Sequence, residues 1–240
     1  MAELTDYHCL APDLPGHGQS RGINWSSLPD TAKRVNALLE LRLGGGRANV
    51  VGLSLGGSVV YEVLSGRPDL FDHAVIDGCG AVGNRMAILM KVGVAIVSPF
   101  IGRRAVGGLV ARGLGLSASA EVERFVHELA ETDPGSFRRA FSDAQDVRIT
   151  DELLRARART LFVAGEKELA SVRGSNRLLA ESMPSAESRM VPGAGHGWLA
   201  RDPSLHVEMV RAWLSDEPLP PGLKPERTPR ARTRASTVHV

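Results

Sequence analysis

The sequence predicts an α/β fold, with a mostly parallel sheet flanked by helices and a helical insertion between its two parts. Three observations predict it. Short apolar runs recur at residues 49–53, 74–76, 160–165 and 190–191, and runs without polar alternation are the mark of strands buried on both faces. Helical patterns of apolar spacing lie between them, as a parallel sheet requires. Residues 84–150 break the alternation and read as helices only. With 240 residues, 43% of them hydrophobic, the chain is long enough for one such domain.

Taken in order, residues 7–11 (Tyr-His-Cys-Leu-Ala) read as a first strand, followed by the loop Ala11-Pro12-Asp13-Leu14-Pro15-Gly16-His17-Gly18-Gln19-Ser20. Asp30 or Thr31 is expected to cap a helix with Val35, Leu38, Leu39 and Leu43 on one face, stopped by Gly44-Gly45-Gly46. The strand at 49–53 runs into Gly52-Leu53-Ser54-Leu55-Gly56-Gly57. Its helix carries Val59, Val60, Val63 and Leu64 and ends at Gly66, with Pro68 just beyond. Asp133-Pro134 starts a helix of the insertion with Phe137 and Phe141 on one face. The strand at 160–165 ends in a loop carrying Glu166 and Glu168, and the strand at 190–191 in Pro192-Gly193-Ala194-Gly195-His196-Gly197-Trp198. Asp202-Pro203, a cap followed by proline at the first helical position, opens the last helix. Its inner stripe is Leu205, Met209, Val210, Trp213 and Leu214.

Chemistry concentrates at three of these strand ends. A serine on a sharp strand-to-helix turn sits in a strained backbone, and glycines two before and two after let neighbouring elements close around it. The Ser54 hydroxyl then projects where a base can reach it, and the Leu55 N–H, opening the helix, faces any oxyanion formed there. The plain alternative is a glycine-rich turn with a capping serine. A serine hydroxyl is a poor nucleophile until a base takes its proton, and that base needs a third group to orient it. His196, in a glycine loop and with an ordinary pKa near neutrality, suits the base. The carboxylates after residue 165 suit the orienting group.

Three motifs in this order resemble the α/β-hydrolase superfamily, the large group of esterases, lipases, peptidases and C–C bond hydrolases. Residues 11–20 are similar to the family's loop after its fourth strand, residues 52–57 to its nucleophile elbow and residues 193–197 to its histidine loop. The order Ser54, acid, His196 is the family's, and not that of trypsin-like or subtilisin-like proteases. The similarity covers residues 5–215, with 84–150 matching only in being helical. It implies Ser54 as nucleophile, His196 as general base, Leu55 N–H as half of the oxyanion hole, and Glu168 at the position where aspartate is usual. Asp77, at the end of the 74–76 strand, is the alternative acid, since some relatives place it there; Glu166 is the lesser candidate. His17 falls where the family keeps a turn-shaping residue.

The implied activity is hydrolysis of a small apolar ester or related acyl compound. A C–C bond hydrolase or perhydrolase would use the same triad, and a noncatalytic remnant that binds a ligand or partner is the opposing reading. Serine at residue 54 argues against a dehalogenase, whose nucleophile in this fold is aspartate. The resemblance further implies a core of residues 1–83 and 151–216, with residues 84–150 as a cap over the site. The apolar run 86–101 would then line a pocket for a hydrophobic group or serve as ordinary core packing. Family members carry two or three strands before the Asp13 loop. The resemblance therefore predicts a sheet lacking those strands and the second oxyanion donor they supply.

Bulk properties exclude other classes. The formal charge is +2, and residues 217–240 hold five cations (Lys224, Arg227, Arg230, Arg232, Arg234) against Glu217 and Glu226, leaving the rest of the chain at −1. That balance does not indicate a nucleic-acid partner. From Pro218 onward, five prolines and four arginines without apolar pattern predict a disordered basic tail over 217–240. Cys9 and Cys79 both lie in apolar strand contexts and are expected as buried free thiols of a cytoplasmic protein. The histidines are scattered without metal-ligand spacing, so neither metal nor organic cofactor is expected. Gly193-x-Gly195 lacks the following helix and later acidic residue of a dinucleotide site. No secretory signal pattern is visible, and the 86–101 run is too short and too charged for stable membrane insertion. Oligomeric state leaves no mark in the sequence.

Overall fold

The computed structural model describes residues 4–81 and 86–226. One sheet of five strands, β1 (Ala48–Leu53), β2 (Phe71–Asp77), β3 (Arg159–Gly165), β4 (Ala186–Val191) and β5 (Lys224–Pro225), runs in that order. The first four are parallel and β5 is antiparallel to β4. Alternation within the central strands divides the apolar side chains into two cores. Ala74, Ile76 and Phe162 face one side of the sheet, while Val75, Leu161 and Val163 face the other, all of them fully buried. Apolar side chains on both faces are what a covered parallel sheet needs.

Helices α1 (Leu28–Leu43) and α2 (Leu55–Gly66) cover the first face. Between β2 and β3 come α3 (Ala87–Val97), α4 (Arg104–Gly113), α5 (Ser119–Ala130), α6 (Pro134–Gln145) and α7 (Asp151–Leu154). Helix α8 (Ala170–Ser182) returns to the first face, and α9 (Trp198–Arg201) and α10 (Pro203–Leu214) cover the second. The last helix buries Met209, Val210 and Trp213, as its stripe predicts. Its first turn is capped by Asp202, which accepts from the Leu205 N–H at 3.0 Å.

Four expectations need correction. Residues 7–11 form no strand: positions 8–11 are exposed, and the segment is held elsewhere, with the Tyr7 hydroxyl 3.3 Å from Ser215 Oγ and Asp6 paired with Arg211 of α10. Among the described residues the outer edge of β1 therefore carries no partner strand. Cys9 is accordingly exposed, and only Cys79 is buried. The cap of α1 is Ser27, whose side chain accepts from Asp30 N–H; Pro29 fits the first turn, where its missing N–H is not needed. The tail does not begin at Pro218, because Leu223 is buried, Leu219 packs beside it against the second core, and β5 pairs with β4 at Arg189 and Met190. Residues 227–240 lie outside the described residues.

Candidate active site

The turn after β1 is tight because Gly52 lets Gly56 close over it: a Cβ at residue 52 would lie 2.4 Å from the Gly56 carbonyl oxygen. Ser54 takes φ 53°, ψ −115°, a left-handed conformation that costs a non-glycine residue about 1–3 kcal/mol. Two backbone bonds hold it there. Ser54 N–H donates to the Asp77 carbonyl at 2.8 Å, and its own carbonyl accepts from Ser58 N–H at 3.0 Å. The next residue, Leu55, opens α2, so its N–H is one of the helix's unpaired first-turn donors.

The loops after β3 and β4 are laced together. Glu166 N–H donates to the Val191 carbonyl at 3.0 Å, Lys167 N–H to the Ala194 carbonyl at 2.8 Å, and Gly193 N–H to Glu166 Oε2 at 2.6 Å. Glu166 is therefore occupied as a brace of the histidine loop. The lacing brings His196 to Glu168 and Ser54: His196 Nδ1 lies 2.9 Å from Glu168 Oε1, and Nε2 lies 3.0 Å from Ser54 Oγ. With the buried Glu168 carboxylate accepting the Nδ1 proton, Nε2 is left as acceptor of the serine proton. The hydrogen bond to Glu168 raises the pKa of His196 above its ordinary 6.5, with the charges of Glu168 and Asp77 adding to it and burial opposing. Asp77, the other acid candidate, does not reach the imidazole by a hydrogen bond; its Oδ1 accepts from the Trp198 indole N–H at 3.1 Å.

The helices between β2 and β3 rest on this assembly. Gly197 permits a close approach, since a Cβ there would stand 2.4 Å from the Leu114 carbonyl oxygen just past α4. On the other side, Asp133 N–H donates to the Gly16 carbonyl at 2.8 Å, and Ser136 Oγ accepts from the Trp25 N–H at 3.0 Å. The 11–20 loop thus carries α6. His17 Nδ1 sits 3.0 Å from its own turn's Pro15 carbonyl, a structural position. Of the two accounts of the apolar run 86–101, core packing does not describe α3: it buries none of its side chains, and Ile88, Leu89 and Ile96 are 78%, 62% and 66% exposed.

Sequence reasoning overlooked Trp198 and His206, which surround Asp77. A tryptophan two residues after the base was the available signal, because a buried indole N–H needs an acceptor. Among the described residues no group of three or more histidine, cysteine, aspartate or glutamate side chains is arranged to hold a metal. No helix there is long and apolar enough to cross a membrane.

Strand-end serine, carboxylate and histidine, in that chain order on a mostly parallel sheet, resemble one class of protein, and the comparisons show its family. The chain belongs to the alpha/beta hydrolase family, whose model matches residues 1–209. An AB hydrolase superfamily protein of Gibberella zeae is 29% identical over 227 residues, covering 91% of this chain and 74% of that protein. A hydrolase from Pseudomonas aeruginosa is 26% identical with a TM-score of 0.69, over 84% of this chain and 77% of the other. The enol-lactonase from Burkholderia xenovorans has the same fold, with a TM-score of 0.71 at 18% identity, over 85% of this chain and 79% of its own.

Proposed function

We propose that this chain is a serine hydrolase that cleaves a small apolar ester or a related acyl compound. The observation that carries the reading is the unbroken relay from Glu168 Oε1 to His196 Nδ1 at 2.9 Å and from His196 Nε2 to Ser54 Oγ at 3.0 Å. Ser54 attacks the acyl carbon as His196 takes its proton; Glu168 stabilises the imidazolium. Leu55 N–H donates to the oxyanion, and His196 returns the proton to the leaving group. Water then repeats the cycle on the acyl-enzyme, with the same histidine as base. The apolar side chains that α3 leaves exposed support an apolar substrate.

A fluorophosphonate probe tests the reading directly, because only an activated serine is phosphonylated. Labelling of the wild type at Ser54, together with turnover of short p-nitrophenyl esters, is the expected result. A properly folded protein that neither labels nor turns over esters would leave the opposing account, a ligand-binding remnant.

A further inference from the structure

The end of β2 is where the parts of the site meet. The backbone carbonyl of Asp77 accepts from Ser54 N–H at 2.8 Å, while its carboxyl Oδ1 accepts from the indole N–H of Trp198 at 3.1 Å. Trp198 lies two residues beyond His196. The next residue, Gly78, sits beneath the base and its partner: a Cβ there would be 3.2 Å from both His196 Nδ1 and Glu168 Oε1. One residue thus ties the nucleophile turn through its backbone and the histidine loop through its side chain.

The carboxyl is 0% exposed, and the proposed relay does not use it. A carboxyl so far from water is costly unless its oxygens are satisfied. Oδ2 has no hydrogen-bond partner among the described residues, and neither has His206 Nε2, which faces it from α10 at 3.9 Å. The His206 ring in turn lies 5.3 Å from that of Trp198. An acid and a base, each with one unmatched atom turned toward the other, are both satisfied by a single proton on Oδ2 after a small closure.

We propose that Asp77 is a positioning residue for the triad, clamping the histidine loop to the end of β2 through the Trp198 indole, with His206 closing the carboxyl from behind. The proposal rests on the Ser54–His196–Glu168 reading. Around Asp77 and His196 stand Glu168 from the β3–α8 loop, His206 from α10, the Cys79 thiol beyond β2 and the Ser54 hydroxyl from the turn. Burial pushes the Asp77 carboxyl up to about 7, so it changes charge in the neutral range. As an anion it joins Glu168 in favouring the imidazolium of His196.

The full chain and three variants decide the matter. Asp77→Asn keeps an acceptor for the indole and offers an N–H to His206, reproducing the neutral carboxyl without its charge. Asp77→Leu removes the acceptor, and Trp198→Phe removes the donor while keeping a ring. Two readouts apply: kcat and KM on p-nitrophenyl butyrate across pH, and exchange of the Trp198 indole N–H by NMR, whose resonance Trp198→Phe identifies. In Asp77→Asn the indole stays protected and the acidic limb of kcat/KM moves to lower pH. Asp77→Leu loses the protection, and it and Trp198→Phe lose about tenfold or more in kcat with little change in KM. Wild-type kcat in both Asp77→Leu and Trp198→Phe, or an unmoved limb in Asp77→Asn, overturns the proposal. Should Asp77→Leu fail to melt cooperatively, Trp198→Phe and Asp77→Asn decide by the same criteria. A wild type that fails to label at Ser54 refutes the triad instead, and indole exchange alone then judges the clamp.

Discussion

Glu168→Gln bears hardest on the proposed chemistry. The glutamine matches the shape of a side chain that is only 6% exposed, so the loop keeps its packing while the charge is lost. What disappears is a charge-assisted hydrogen bond at 2.9 Å to the imidazole that must carry a positive charge in the transition state. Such a bond contributes about 1.5–3 kcal/mol. The attraction of two unit charges about 4 Å apart reaches about 4 kcal/mol at an effective dielectric of 20. The two figures describe overlapping electrostatics, so about 4 kcal/mol is the expected loss, roughly a thousandfold in kcat.

The assay is kcat and kcat/KM on p-nitrophenyl butyrate between about pH 5 and 9, with the rate of fluorophosphonate labelling as a second measure. Glu168 raises the pKa of His196, so wild-type activity falls as pH drops through that raised value. In Glu168→Gln the acidic limb moves to lower pH. Stability follows the complementary sign: the ion pair stabilises the fold below the unfolded histidine pKa and is lost as pH rises through the folded value. The variant's deficit in melting temperature is therefore larger at pH 5 than at pH 9. Activity within tenfold of wild type at every pH, with an unmoved limb, refutes the assignment. A thousandfold loss in Asp77→Asn would move the acid one strand earlier.

Other outcomes follow from the same geometry. Ser54→Ala and His196→Ala each abolish ester turnover while leaving cooperative melting intact, and the double variant is hardly worse than either single one, because the relay acts as a unit; steady-state kinetics and circular dichroism check this. Glu166→Gln retains an acceptor for Gly193 N–H and should keep turnover within severalfold of wild type in the same assay. Gly197→Ala drives a Cβ toward the Leu114 carbonyl and parts the end of α4 from the histidine loop, which lowers kcat and melting temperature together. In the fold, Asp77 titrates near 7 rather than 3.8, so its ionisation costs stability that grows as pH rises through this window and reaches at most about 4 kcal/mol. Asp77→Asn escapes that cost and gains melting temperature over wild type at pH 8.5, a gain that shrinks toward pH 4 in calorimetry. His206, held down to about 4 by burial, titrates in both proteins and largely drops out of the comparison.

Much of this protein was determined by the sequence alone, because the relevant signals are local. Apolar runs 74–76 and 160–165 could be strands of a covered sheet and little else, and Asp133-Pro134 and Asp202-Pro203 open helices where they stand. The serine turn is local too: Gly52 and Gly56 shape a backbone that Ser54 must adopt within three residues. What only the tertiary structure decided depends on which segments meet. Residues 7–11 have the composition of a strand, yet a strand exists only by pairing, and this segment is held beside α10 instead. Leu219 and Leu223 stand among prolines that suggest disorder, and burial against the second core overrides that composition. Glu166, Glu168 and Asp77 are three carboxylates at strand ends, indistinguishable by type. Their roles diverge because Glu166 accepts from Gly193 N–H, Asp77 from the Trp198 indole, and Glu168 alone among them lies within hydrogen-bonding distance of His196. Backbone propensity and turn chemistry act over a few residues and can be read in order. A hydrogen bond between residues 77 and 198 depends on the packing of the whole sheet.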